Sequence, residues 1–262
     1  MKRLLILLCL PSLGALHAGC GSDATAADST TGKRVRVHVD VAGAADARAP
    51  FFLGTGHSVT LTRAAVALDA VQIFDGPPAV AWAPRPRRTW SSWLLGTAHA
   101  HPGHYQAGNA LGEVVAPGTF ELLGAPTALG DGDGVTGTFR SARVTYSASS
   151  TSLGGAAVVA EGTAKKGDAT LTFRLVAPRS QLELSLAGGR VEGCPFTERE
   201  VSGDLAATLT ISPSAWFLFV DFGALSGGTA EAPVTLGPDS PQGVSFAVGV
   251  AQLSGYRMAA TE

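Results

Sequence analysis

The chain has 262 residues, of which 45% are hydrophobic and 15% charged, and its formal net charge is −2. A mildly acidic chain of this kind lacks the clustered lysines and arginines that neutralise phosphates, so the composition excludes a nucleic-acid-binding function. The three cysteines cannot supply a disulfide framework, and a hydrophobic core must therefore provide the stability.

The N-terminal segment has the pattern of a bacterial export signal. Lys2 and Arg3 precede an apolar run over residues 4–10, and small residues then lead to Cys20. The run is shorter than the roughly 20 residues of a membrane-spanning helix. The pattern therefore predicts a signal peptide over residues 1–19.

The stretch LHAGC, which ends at Cys20, resembles the lipobox of bacterial lipoproteins. The resemblance implies that Cys20 carries lipid and that this anchor holds the protein at the membrane of the cell envelope, with the outer membrane favoured. The polar residues 20–32 are then predicted to form the tether. The alternative is an ordinary cleaved signal peptide that leaves Cys20 as a free thiol.

Residues 33–262 are predicted to form one all-β domain, a β-sandwich, because the dominant hydrophobic period is two. In RVRVHVDV (34–41) every second residue is valine, and this places His38 on the outer face. We predict further strands in segments that alternate or are apolar and lie between turn residues: 57–63, 64–74, 170–176, 181–187, 204–211, 215–222 and 244–253. GDGDG (130–134) is predicted to be a surface turn, and Cys194 a buried apolar residue.

A long insertion, residues 77–126, interrupts the strand pattern. It is rich in proline, arginine, tryptophan and histidine, and loops longer than about 12 to 15 residues are usually functional or disordered. Trp82, Trp90, Trp93 and Tyr105 argue against disorder. We therefore predict that the insertion carries the function.

Within the insertion, HAHPGHY (99–105) concentrates three histidines. Pro102 and Gly103 suit the central positions of a type II turn, whose first and last Cα atoms lie within about 7 Å. Those two residues are His101 and His104, and an extended approach turns His99 to the same side. The spacing allows three imidazoles to converge on one point.

Convergent imidazoles indicate a transition-metal site, for which we favour copper over zinc. His57, which begins a predicted strand, is the predicted fourth ligand, and Glu113, Tyr105 or a water molecule are the alternatives. Glu113 could instead end a short helical turn or pair with an arginine. The alternative for the whole stretch is a solvated turn on which the histidines are incidental.

Trp90 and Trp93 lie shortly before the histidines, and this arrangement resembles a group of exported copper proteins. The group comprises the β-sandwich copper proteins of methanotrophs and the periplasmic partners of methanobactin systems. Residues 61–74 and 248–258 resemble its early and last strands, although this chain lacks the four-cysteine pattern of the methanobactin partners. The resemblance implies copper held by histidines together with an oxidised tryptophan.

Together these patterns favour a lipid-anchored protein for metal binding, scavenging or delivery. The first alternative is a surface lipoprotein that binds an envelope protein partner or ligand through the aromatic insertion, with the histidines incidental. A metal-dependent enzyme is the second, and it is less favoured because no acid–base pair accompanies the histidines in sequence.

Overall fold

The computed structural model describes residues 32–79, 107–148, 150–223 and 225–261. The prediction of an all-β fold is confirmed, because strands form most of the regular structure in this part of the chain. The strands are β1 (Arg34–Gly43), β2 (Phe51–Phe52), β3 (Ser58–Phe74), β4 (Ala110–Glu121), β5 (Thr127–Val135), β6 (Gly137–Tyr146), β7 (Val158–Lys166), β8 (Ala169–Ala177), β9 (Arg190–Val201), β10 (Leu205–Ile211), β11 (Val234–Leu236) and β12 (Tyr256–Ala260). The helices of the described residues are α1 (Arg179–Ser185) and α2 (Pro241–Val250), and the 3₁₀ turns there cover Ala45–Arg48, Thr151–Leu153, Ala187–Gly189, Pro213–Phe217 and Leu253–Gly255.

Eight of the strands pair in a closed ring. The order β3–β4–β5–β1–β10–β12–β9–β6 returns to β3, because β6 pairs with the second half of β3. Most pairs are antiparallel, but β1 with β10 and β12 with β9 are parallel. The pairing between β12 and β9 is the shortest in the ring, because Met258 opposite Phe196 is the one residue pair registered between these strands.

The 17-residue strand β3 belongs both to the ring and to a side sheet. Its first half pairs with β7, and β8 and β11 continue this side sheet outward. The register shifts between Leu68 and Ala70 in the pairings with both β4 and β6. A bulge of this kind bends a strand and lets it leave one sheet for another.

The valines of β1 confirm the predicted alternation. Val37 and Val39 are fully buried inside the ring, whereas His38 between them keeps 40% of its side chain exposed. Burial of each such aliphatic side chain contributes about 1.5 to 3 kcal/mol, so the inner face of this strand is a main source of stability.

A second part of the same core lies beneath the side sheet. The rings of Phe173 and Phe222 are 4.9 Å apart, and Phe217 packs edge-on against Phe173 at 5.7 Å. Trp216 and Phe246 of α2 meet at right angles, 5.9 Å apart. These aromatic contacts join α2 and the 3₁₀ turn before it to the strands.

Three predicted strands are wrong, since residues 181–187, 215–222 and 244–253 lie largely in helices and turns. Leu182 of α1 and Leu186, the residue directly after this helix, are one helical turn apart and buried, and Leu184 between them is 87% exposed. Leucines at every second position fit the alternation of a strand, but two of them, four residues apart, also fit one face of a helix.

The residues at the start of α2 are typical of a helix N-terminus, although the apolar content of residues 244–253 favoured a strand. The hydroxyl of Ser240 accepts a hydrogen bond from the Gly243 backbone N–H at 3.0 Å, and Pro241 occupies the first helical position. Both are typical of a helix N-terminus. Neither described helix has the length and apolarity required to cross a membrane.

Two segments assigned to loops are strand instead. GDGDG (130–134) lies within β5, and residues 110–121 form β4. The segment between β3 and β4 is therefore shorter than the predicted insertion 77–126. The predicted helical turn that would end at Glu113 is wrong for the same reason.

Candidate functional site

The insertion leaves the ring after β3 and returns at β4, and its two legs are tied together there. The carboxylate of Asp75 accepts hydrogen bonds from the backbone N–H of Asn109 at 2.7 Å and from its Nδ2 at 2.8 Å. The Gly76 N–H donates to the carbonyl of Ala107 at 3.0 Å. We call Asp75, Gly76, Ala107, Gly108 and Asn109 the insertion base.

Gly108 is required by this geometry. Its φ is +77°, a left-handed conformation, and a Cβ there would lie 2.7 Å from the Gly76 nitrogen. Any other residue would be strained and would also push the two legs apart. The insertion base therefore holds both ends of the insertion at one place on the ring.

The predicted metal ligands His99, His101 and His104 lie outside the described residues, as do Trp90, Trp93, Tyr105 and the lipidation site Cys20.

His57 lies at the far end of β3 from the insertion base. The strand has 17 residues, which corresponds to roughly 50 Å measured along the strand. His57 itself is buried, with Nδ1 3.0 Å from the Thr55 hydroxyl and its ring edge-on to Phe222 at 5.8 Å. The structure does not bring His57 to the insertion base. As a ligand, His57 stays a prediction.

Glu113, an alternative fourth ligand, lies near the insertion base but is already engaged. Its Oε1 accepts from Gln72 Nε2 at 2.8 Å, and Gln72 Oε1 accepts from Arg143 at 2.8 Å. Arg143 also donates to Glu192 at 2.8 Å. This row of polar side chains crosses β4, β3, β6 and β9 and stabilises the outer face of the ring.

Within residues 32–79, 107–148, 150–223 and 225–261, no group of three or more His, Cys, Asp or Glu side chains is arranged to hold a metal ion. Cys194 is fully buried, as predicted. Burial raises the pKa of its thiol far above the ordinary range, so the thiol stays protonated and is a poor ligand and nucleophile.

One titrating group that the sequence reasoning set aside is His38. Strand register places it opposite Asp131, whose Oδ1 lies 2.6 Å from Nδ1, and Asp40 Oδ1 lies 3.3 Å from Nε2. The hydrogen bond to Asp131 is the largest cause that raises the pKa of His38, and Asp40 adds to it. The contact between His38 and Asp131 was not predicted from the sequence because residues 130–134 were assigned to a turn.

We expect Asp131→Asn to lower the pKa of His38 toward about 6.5, its ordinary value. A raised folded-state pKa means that the protonated imidazole stabilises the native state fully below about pH 6.5, and that this stabilisation is lost as the pH rises through the folded pKa. An NMR titration of the His38 ring protons measures the shift. Asp168→Asn, in the turn between β7 and β8, is the control, and an equal decrease in both variants would contradict the assignment.

Comparison with known proteins returned no match, whether among family models, curated proteins or solved structures. The strand pairing of the described residues defines the class, an all-β protein built on a closed ring of eight strands with a side sheet.

Proposed function

We propose that this is an exported, lipid-anchored protein that binds one transition-metal ion through His99, His101 and His104, with copper favoured over zinc. The observation that carries the proposal is the sequence itself, with three histidines within six residues around Pro102-Gly103. Neutral imidazole is the most common protein ligand of these metals. The role would be metal binding, scavenging or delivery at the outer membrane.

The insertion base supports this proposal. The hydrogen bonds of Asp75 with Asn109, and of Gly76 with Ala107, hold the chain close to His104 in one place. Fixing one end of a binding segment in advance lowers the entropy that ligand binding must overcome. Metal binding by this segment would therefore cost less conformational entropy than binding by a segment with two free ends.

The test is a titration of copper and of zinc into the purified protein. One equivalent of metal bound per chain is expected, with copper held more tightly than zinc. Absence of saturable binding for both metals would reject the proposal.

The anchor is tested separately, through Cys20. Lipid attachment requires its thiol, so Cys20→Ser is expected to move the protein from the membrane fraction to the soluble fraction of the cell envelope. Immunoblots of both fractions, with mass spectrometry of the N-terminal peptide, measure this. A variant that still sediments with membranes, beside wild-type protein without lipid mass, would contradict the anchor.

An envelope protein partner is the second candidate function, and an exposed apolar patch favours it. Phe52 is 80% exposed and Leu218 60% exposed, and both line a groove at the end of the ring away from the insertion base. Exposed apolar side chains grouped in this way are typical of interaction surfaces. This candidate remains if the metal titration fails.

A further inference from the structure

The described chain enters the ring at a fixed point. The backbone N–H of Lys33 donates to the Thr136 hydroxyl at 2.9 Å, and the Thr136 N–H donates back to the Lys33 carbonyl at 2.9 Å. Thr136 lies in the turn between β5 and β6. We call Gly32, Lys33 and Thr136 the tether junction, because the predicted tether joins the described chain there.

The insertion base lies at the same end of the ring as the tether junction. Val35 of β1 is opposite Gly134 of β5, and Gly134 is also opposite Gly112 of β4. Adjacent strands are about 4.8 Å apart, so Val35 and Gly112 are separated by about 10 Å. Val35 comes two residues after Lys33, and Gly112 comes three residues after Asn109 of the insertion base. The tether junction and the insertion base are therefore neighbours.

The apolar groove lies at the other end of the ring. Strand β1 has 10 residues, which corresponds to about 33 Å, and it ends at Gly43 opposite Ile211 of β10. Ser212, the residue after β10, lines the groove together with Phe52 and Leu218. The length of β1 therefore separates the groove from the tether junction.

We propose that the end of the ring with the insertion base faces the lipid surface of the membrane, whereas the apolar groove faces away from it. This orientation rests on the lipid anchor at Cys20 proposed above, because a lipid there holds the protein through the tether junction. Metal that the insertion takes up or releases is then exchanged at the membrane. The exposed Phe52 and Leu218 would favour the reverse orientation if they were buried in lipid, so the two arrangements can be distinguished.

The test measures energy transfer from a dye on the protein to a dye on lipid headgroups. The lipidated protein is purified from membranes and reconstituted into phosphatidylcholine vesicles. Gly203→Cys and Gly54→Cys are matched labelling sites, since a Cβ at either position would meet nothing within 4 Å. Gly54 lines the apolar groove, and Gly203 precedes Asp204, whose carboxylate accepts from the Arg36 backbone N–H at 2.8 Å near the tether junction.

Transfer from Gly203→Cys is expected to be at least about twofold more efficient than transfer from Gly54→Cys, because the length of β1 separates the two ends. Wild-type protein is expected to take up no dye, since lipid occupies the Cys20 thiol and Cys194 is buried. Dye on wild-type protein would reject the anchor, and the orientation with it. With wild type unlabelled, equal transfer from both sites, or higher transfer from Gly54→Cys, would overturn the orientation alone.

A further variant tests the reverse arrangement directly. Phe52 is 80% exposed, so Phe52→Ser is expected to preserve the fold. Combined with Gly54→Cys, it is expected to leave the energy transfer unchanged, because the groove faces away from the lipid. A decrease would show that Phe52 contacts the bilayer and would overturn the proposed orientation.

Discussion

Gly132→Ala is expected to destabilise the protein by about 2 to 3 kcal/mol. A Cβ on Gly132 would lie 2.9 Å from the Cα of Val114 and closer still to the carbonyl of Glu113. These are backbone atoms of β4, which cannot move aside as a flexible side chain could. Relief of the clash would require β4 and β5 to separate where they pair, and this pairing is part of the ring closure.

Urea unfolding of the purified protein measures this effect, and Gly203→Ala supplies a matched control. A Cβ at Gly203 would meet nothing within 4 Å, so the same substitution there is expected to change the free energy of unfolding by no more than about 0.5 kcal/mol. Similar unfolding midpoints for Gly132→Ala and wild type would contradict the close approach of β4 to β5.

The second large effect concerns the metal. Single replacement of His101 or His104 by alanine is expected to weaken copper binding at least tenfold, because a metal needs about three protein ligands to be held firmly. His99→Ala is expected to act similarly if an extended approach turns its side chain toward the same point. Competition titrations with a chelator of known affinity measure the three variants against wild type.

The same titrations at two pH values test the ligand type. Imidazole must be neutral to bind a metal, so the affinity is expected to fall as the pH decreases through about 6.5. His57→Ala tests the predicted fourth ligand, whose side chain lies at the other end of β3 and is hydrogen-bonded to Thr55, and unchanged copper affinity in this variant would exclude it. Unchanged affinity in His99→Ala, His101→Ala and His104→Ala would reject the site. Loss in the last two alone would keep the turn and reject the position of His99.

Strand assignments from the sequence succeeded where burial alternates along a single segment. In β1, Val37 and Val39 are buried and His38 between them is exposed, as the period of two requires. Such a pattern depends only on the extended backbone, which turns successive side chains to opposite faces. Residues 64–74 were correctly assigned to strand for another reason, their β-branched content and the turn residues that follow them.

Assignments failed where one pattern satisfied two structures. Leucines at 182, 184 and 186 fit an alternating strand, yet Leu182 of α1 and Leu186, the residue directly after this helix, are also one helical turn apart and both buried. Helix packing decided between these two possibilities. GDGDG reads locally as a turn, and it became part of β5 because Gly132 lets the β4 backbone approach closely.

The sequence by itself determined the all-β class, the alternating core of β1, the buried state of Cys194 and the local grouping of the three histidines. The tertiary structure decided which of these features meet. Residues 57–63 and 64–74 were predicted as separate segments, and a turn between them would have brought His57 back toward the insertion. They form one continuous strand instead, which places His57 and the insertion base at opposite ends of β3. Local patterns specify whether residues are extended, but long-range pairing specifies where a strand leads, and β3 continues because β7 pairs with its first half and β6 with its second.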